Sequence, residues 1–183
     1  MDTPPEKLLY ETVELRRWHT DDLDVLDRMV EESLDRLLPW MPWAATASRE
    51  QTAGFLARCQ EEWRTGEGFN YAIVVDGAVA GSCGLHRQIG AGGLEIGYWL
   101  HPGATGRGAV SRAVRALVAA AFELPGVDRV EIHHDAANLA SEAVPRRLGF
   151  TEVSRGPVER GADVTPGESG VDVVWRLVKG AAA

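Results

Sequence analysis

A strand, a glycine-punctuated turn and a helix start follow one another over Gly92-Gly93-Leu94-Glu95-Ile96-Gly97-Tyr98-Trp99-Leu100-His101-Pro102-Gly103-Ala104-Thr105-Gly106-Arg107-Gly108-Ala109-Val110. The chemistry this order offers is phosphate binding. The first turn of a helix leaves backbone N–H groups unpartnered and collects partial positive charge from the aligned peptide dipoles. Gly103, Gly106 and Gly108 can adopt positive φ and let the backbone approach an anion with no Cβ in the way. Two other phosphate loops do not fit. A Walker loop needs Lys then Ser or Thr after its last glycine, where Ala109 and Val110 stand, and a dinucleotide fingerprint needs Gly or Ala where Ser111 stands.

A second group of polar residues lies downstream in Asn138-Leu139-Ala140-Ser141-Glu142-Ala143-Val144-Pro145-Arg146-Arg147-Leu148-Gly149-Phe150. Asn138 has the type and place of a helix N-cap, and Ser141 falls on the first turn behind it. Pro145 removes the N–H that would bond the Ser141 carbonyl, which predicts a short or kinked helix. Glu95, before the loop, is a carboxylate able to take a proton directly or through water, or else a solvated strand glutamate.

The loop from Thr105 to Val110 resembles the acyl-CoA pyrophosphate loop of the GNAT superfamily of N-acetyltransferases, with Gly108 and Arg107 matching and Thr105 and Val110 departing from its usual residues. The Asn138-x-x-Ser141 helix, the closing Leu148-Gly149-Phe150 and the strand Glu95-Ile96-Gly97-Tyr98-Trp99-Leu100 resemble the RimJ/RimL-type amino-terminal acetyltransferases of that superfamily. The resemblance runs in element order over about residues 8 to 178. It implies acetyl-CoA as cosubstrate, a primary amine as acceptor and direct transfer between them. Backbone N–H groups from Gly106 to Val110, with Thr105 and Ser111 in the same run, are then expected at the pyrophosphate. The Tyr98 amide is expected at the thioester carbonyl, Leu100 at a pantetheine amide, and Trp99 between them. Asn138 is expected on the pantetheine arm, Ser141 as proton donor to the thiolate, Tyr98 as a second possible acid and Glu95 as base.

Trp40 and Trp43 sit in a helix break, Leu37-Leu38-Pro39-Trp40-Met41-Pro42-Trp43, and by the same resemblance wall the acceptor pocket; rigid aromatics there suit a peptide terminus or a hydrophobic amine, though core anchoring competes for both. The acceptor itself stays open between a protein amino terminus and a small amine such as a metabolite or an antibiotic. A CoA-binding module without turnover is the reading from another class. His133 and His134 are adjacent strand residues that point to opposite faces, so they do not share one site. No histidine pair has helix-face metal spacing, and Cys59 and Cys83 lack a redox or zinc pattern, so no metal and no disulfide are expected.

Such residues need a scaffold, and the chain encodes an α+β one. Thr12 to Arg17 reads as a strand, and Leu23, Leu26, Met29 and Val30 recur at helical spacing behind Thr20-Asp21-Asp22. Ser48 and Gln51 form a capping-box pattern for a helix carrying Phe55, Leu56, Cys59 and Trp63. Phe69 to Val75, Val79 to Leu85 and Leu94 to Leu100 read as an antiparallel meander with Asp76-Gly77 as a hairpin turn. An apolar stripe from Val110 to Phe122 then leads to a strand over Val127 to His133, a crossover that implies parallel pairing. Phe150 to Ser154 and Val171 to Val178 close the sheet around a Gly- and Pro-rich stretch, 156 to 170, that reads as a mobile loop able to close over the acceptor. The expectation is a GNAT fold: a mixed central sheet, an antiparallel meander plus parallel strands splayed beside Leu100, flanked by helices in one domain over residues 1–183.

Composition narrows the partners. A net charge of −8 and a pI near 5.1 argue against nucleic acid and anionic membranes, which want a basic footprint. The longest apolar run, Ala116 to Phe122, is too short for a bilayer, and Met1-Asp2-Thr3-Pro4-Pro5-Glu6 lacks the regions of a signal peptide, so the cytoplasm is expected. A homodimer is common in the resembling branch, but no residues here identify an interface.

Overall fold

The computed structural model describes residues 3–158 and 164–180. Extended segments at β1 (Lys7–Tyr10), β2 (Val13–Arg17), β3 (Gly68–Val75), β4 (Ala78–His86), β5 (Gly93–Leu100), β6 (Arg129–Asp135), β7 (Thr151–Pro157) and β8 (Val171–Val178) form one sheet in the order β1-β2-β3-β4-β5-β6-β8-β7. Every neighbouring pair is antiparallel except β5 with β6. The helices are α1 (Leu23–Glu31), α2 (Leu34–Leu37), α3 (Arg49–Thr65), α4 (Ala109–Glu123) and α5 (Leu139–Arg147).

The local signals explain most of these bounds. The Ser48 side chain accepts a hydrogen bond from the Gln51 N–H and starts α3, and Gly66 ends it in the left-handed region. Asp76 and Gly77 both take positive φ at the β3–β4 turn. Gly149, also at positive φ, follows α5.

Alternation along the strands gives the sheet two covered faces. On one, Tyr71, Ile73, Leu85, Leu94, Ile96, Val130 and Ile132 pack with Ala113, Val114, Leu117 and Ala121 of α4, with Val144 of α5 and with Leu148 just past its end. On the other, Trp18 and Ala72 pack with Leu26, Met29 and Val30 of α1 and Leu56 and Cys59 of α3.

Several expectations are corrected. β1 pairs with β2 and escaped the sequence reading, since four residues of alternating exposure carry little pattern. α2, one turn long, also escaped it. β6 begins at Arg129, not Val127, and runs two residues past His133, while β7 extends from Thr151 to Pro157, beyond the expected end at Ser154. The β5–β6 ladder holds only Gly93 to Glu95 against Arg129 to Glu131. The splay beside Leu100 therefore begins as early as Ile96. Of the 156 to 170 stretch, residues 159–163 lie outside the described residues, and 164–170 is not a free loop: it is fastened to the sheet and to the helix break, as described next.

Candidate active site

Where β5 and β6 part, Ile96 to Leu100 have no β6 partner, so backbone groups on that edge of β5 face a gap instead of a ladder. The gap opens into a crevice of about 330 Å³ that Glu95, Gly97, Tyr98, His133, Asn138 and Ser141 line, with Trp40 and Met41 at its wall. The structure thus brings Glu95 and Tyr98 of β5 together with Ser141 of α5 and its cap Asn138, two elements far apart in the sequence.

At the loop, Gly106 and Gly108 take positive φ, whereas Gly103 lies within the 3₁₀ turn Pro102–Ala104 and does not, contrary to its expected role. Thr105 closes that turn, its hydroxyl donating to the Pro102 carbonyl at 2.9 Å. Arg112 N–H to the Gly108 carbonyl is the first helical bond of α4, which leaves the N–H groups of Ala109, Val110 and Ser111 without helical acceptors. Arg107 is exposed beside them. Arg112 is spent elsewhere: it donates to Glu11 at 2.6 Å and to the Arg107 carbonyl at 2.7 Å, bracing the loop. Arg147 of α5, which the sequence reading did not single out, donates to the Ser111 hydroxyl at 3.1 Å and adds a cation at this helix start. Two left-handed glycines, unpartnered N–H groups and flanking guanidiniums fit a pyrophosphate.

On α5, the Asn138 side chain accepts from the Ser141 N–H at 3.1 Å, the N-cap geometry its position forecast. Pro145 then decides how Ser141 meets Tyr98. With no N–H at position 145 the Ser141 carbonyl lacks its helical donor, and the Tyr98 hydroxyl supplies one from across the gap at 3.1 Å. The Ser141 Oγ lies 3.1 Å from the same phenol oxygen. A phenol has one proton, so with that proton on the carbonyl the Ser141 hydroxyl is the donor in the second bond. Burial pushes the Tyr98 phenol up to about 12, against the opposing hydrogen bond from Ser141.

Glu95 occupies a row of facing residues that runs across four strands: His86, Glu95, Glu131 and Arg176 are successive register partners. Glu131 is buried and saturated by Arg176 at 2.6 and 2.7 Å and by His133 at 3.1 Å. Glu95 makes no hydrogen bond or ion pair among the described residues, which leaves its carboxylate available to the crevice it lines. His86, missed in the sequence, sits directly opposite; burial lowers its pKa, opposed by Glu62 and Glu95. His134 is a structural residue: its Nε2 accepts from the Trp175 indole at 2.9 Å, which leaves Nδ1–H to donate to the Asp135 carbonyl at 2.8 Å.

Asp135 ends β6 and holds the far wall. One carboxylate oxygen accepts from the Ala137 N–H and from the N–H and hydroxyl of Ser169, each at 2.8 Å, and the other from Gly170 and Val171 N–H at 2.9 and 3.1 Å. Burial works against its ionised form, but these donors outweigh it and hold the carboxyl down at about 2. The other anchor of 164–170 is the helix break. Thr165 hydroxyl and Gly167 N–H both donate to the Pro39 carbonyl, and a Cβ on Gly167 would fall 2.5 Å from that oxygen.

A second, larger cavity of about 580 Å³ lies under α1 and α3 and meets the crevice at Met41, Gly97 and Tyr98. Trp43 lines this cavity, whereas Trp40 lines the crevice. Trp63 lines neither; it packs edge-on against Phe69 and Tyr71 at 5.3 and 5.1 Å. Cys59 and Cys83 are free buried thiols, with burial pushing Cys59 up to about 12 and Cys83 higher still. Neither is a thiolate near neutral pH, which weighs against an acyl-cysteine route. Among the described residues no three of His, Cys, Asp and Glu cluster as metal ligands, and no helix is long and apolar enough to cross a membrane.

With this geometry in hand, known proteins supply the comparison. The acetyltransferase (GNAT) domain model matches residues 12–151. A Bacillus subtilis (strain 168) protein provisionally named ribosomal N-acetyltransferase YdaF is 30% identical over 148 residues, which cover 78% of this chain and 79% of that protein. Among solved structures, RimL, a ribosomal L7/L12 alpha-N-protein acetyltransferase in complex with coenzyme A, superposes with a TM-score of 0.85 at 23% identity, over 94% of this chain and 98% of its own. Mycobacterium smegmatis RimJ in complex with CoA-disulfide gives 0.81 at 21% identity over 97% and 88%. The microcin C7 self-immunity acetyltransferase MccE, in complex with acetyl-CoA and AMP, gives 0.82 at 19% identity over 92% and 93%.

Proposed function

The chain belongs to the GNAT acetyltransferase family, and from that membership we propose that it carries an acetyl group from acetyl-CoA directly to the amine of a protein or peptide amino terminus. The observation that carries this reading is the meeting of two cavities at Gly97 and Tyr98, one reaching Ser141 and Asn138, the other open for an acceptor. Acetyl-CoA supplies an activated acyl group, so the protein's work is positioning and proton transfer.

The N–H groups at the start of α4, with Arg107 and Arg147 beside them, hold the pyrophosphate. The unpaired edge of β5 from Ile96 to Leu100 and the Asn138 side chain orient the pantetheine arm in the splay. Glu95, free of partners among the described residues and facing the crevice, takes the proton of the incoming ammonium, and His86 stands opposite it on β4. The Ser141 hydroxyl, held by Tyr98, turns its proton from the phenol oxygen to the departing thiolate. The ribosomal acceptors named for the relatives make the amino terminus of a ribosomal protein the first to try, with the reaction in the cytoplasm.

A small amine is the second reading, favoured by the size of the larger cavity, about 580 Å³, which suits a whole small molecule. Thiol release from acetyl-CoA separates the two when peptides with free and with blocked amino termini are run beside small amines. Turnover of free but not blocked peptides is the expected result. Turnover of small amines alone moves the acceptor to a metabolite or antibiotic, and acetyl-CoA binding without thiol release from any amine leaves a CoA-binding module.

A further inference from the structure

The cavity of about 580 Å³ beyond the reaction gap is larger than the crevice, at about 330 Å³, and differs from it in lining. Leu26 and Val30 of α1, Met41 and Trp43 of the break, Phe55 of α3 and Trp99 of β5 make its apolar walls. Trp43 and Trp99 lie with ring centroids 6.3 Å apart and planes tilted by 51°, a wedge of two indoles. Trp43 keeps 41% of its surface exposed, large for a tryptophan held against another aromatic.

The floor is bare backbone. Gly84 and Gly97 face each other in register on β4 and β5, so two neighbouring strands present no side chain there. Above Gly84 the space is taken: a Cβ would stand 2.6 Å from the Asn70 side-chain oxygen and 2.9 Å from His86 Nε2. Above Gly97 a Cβ would meet nothing nearer than His86 Nε2 at 3.9 Å, so this part of the floor is open. Asn70 is tied to Glu62 at 2.8 Å, burial favours the neutral form of His86, and Arg58 is the charged side chain at the rim. The other polar side chains of the lining are already engaged: Ser48 accepts from the Gln51 N–H, the Gln51 amide donates to Thr46, Thr52 donates to Asp27, and Ser82 accepts from the Trp18 indole.

From this distribution we infer that the acceptor is recognised through a large apolar or aromatic group carried next to its amine, seated between Trp43, Phe55 and Trp99 with the amine at Gly97. The inference rests on acetyl transfer at the Gly97–Tyr98 junction. A small polar group such as a seryl side chain leaves the indole faces wet and meets polar side chains already bonded to other groups, and a charged one is desolvated against the apolar walls. A leucyl, methionyl or phenylalanyl group fills the wedge, and a cavity of this size with few free polar groups is the usual form of a small-group pocket. The same chemistry comes from two sources, the first residue of a peptide or a free amine such as phenethylamine.

The test is thiol release from acetyl-CoA with peptides that differ only in their first residue, Ser, Ala, Leu, Met or Phe, run beside leucinamide and phenethylamine. The large apolar acceptors are expected to exceed the Ser peptide in kcat/KM by roughly tenfold or more, the scale that a few buried methylenes set. Trp43→Ala, at a partly exposed position, is expected to erase most of that preference while the Kd for acetyl-CoA holds. Trp99→Leu, which keeps β5 apolar while removing the opposite indole, is a second variant with the same expected loss of preference. A Ser or Ala peptide that matches or beats the apolar series overturns the inference, as does a Trp43→Ala loss of equal size for every acceptor. Activity confined to peptides or to free amines assigns the source, and either upholds the inference. Silence with all amines defeats acetyl transfer itself and is thereby distinct from a failed preference.

Discussion

The two cavities that meet at Gly97 and Tyr98 are made from opposite materials. The crevice exists because a strand pair comes apart, and it is lined by groups with a proton or lone pair to offer: Glu95, Tyr98, His133, Asn138 and Ser141. The larger cavity lies over the bare backbone of Gly97, opposite Gly84, under aromatic walls. Under the proposed function, one holds and protonates and the other selects. The carboxylates repeat the contrast, since Asp135 and Glu131 are saturated by donors while Glu95, on the same row as Glu131, is left unpaired among the described residues. Saturated carboxylates build the walls, and an unsaturated one is what a proton acceptor requires.

The largest expected effect would divide chemistry from binding within the crevice. Ser141→Ala should lower kcat by about 100-fold, the low end for a positioned acid, with the KM for acetyl-CoA nearly unchanged. An unchanged kcat removes Ser141 from the reaction. Asp135→Asn comes next, because an amide keeps one acceptor oxygen and turns donors toward the N–H groups of Gly170 and Val171. A stability loss on the order of 2 kcal/mol is expected, read as a lower Tm. The sign of its pH dependence follows from a folded pKa held at about 2, below the ordinary 3.8: the stabilisation is present above about pH 4 and is lost as pH falls from there toward 2. Acid unfolding of Asp135→Asn that matches the parent protein between those values would separate the carboxylate from this role.

Gly108→Val tests the loop. A β-branched residue at φ 73°, with its Cβ 3.2 Å from the Arg112 guanidinium, should strain the helix start by about 1–2 kcal/mol and weaken acetyl-CoA binding roughly tenfold in calorimetry. The smallest effect should come from Pro145→Ala, which restores an N–H for the Ser141 carbonyl and takes the acceptor from Tyr98. Turnover should fall a few-fold without loss of Tm, and Tyr98→Phe on that background should add little. Additive losses would mean that Pro145 and Tyr98 act apart.

Much of this was legible in local residue order. The Asn138 cap, the left-handed Gly106 and Gly108 and the missing donor at Pro145 are properties of a few consecutive residues, whereas of the Ser48–Gln51 capping box only the Ser48 half forms, the Gln51 side chain donating to Thr46 instead. Gly103 misled because a glycine permits positive φ without requiring it, and here a 3₁₀ turn used it otherwise. His86 and Asp135 gave no signal, since their partners come from other elements: Glu95 on the next strand for one, Ser169 to Val171 far along the chain for the other.

Residue order alone settles the order of elements, the glycine-flanked start of α4, the capped helix that carries Ser141 and the family to which the chain belongs, because short-range hydrogen bonding and hydrophobic period set these. Long-range packing was needed to show that the splay beside Leu100 begins as early as Ile96, that Tyr98 takes the carbonyl Pro145 leaves, that Trp40 and Trp43 line different cavities and that residues 164–170 are pinned by Asp135 and Pro39. Those outcomes depend on register and on contacts between distant segments, where pairing is fixed by the fit of the whole sheet and its helices rather than by any local run of residues.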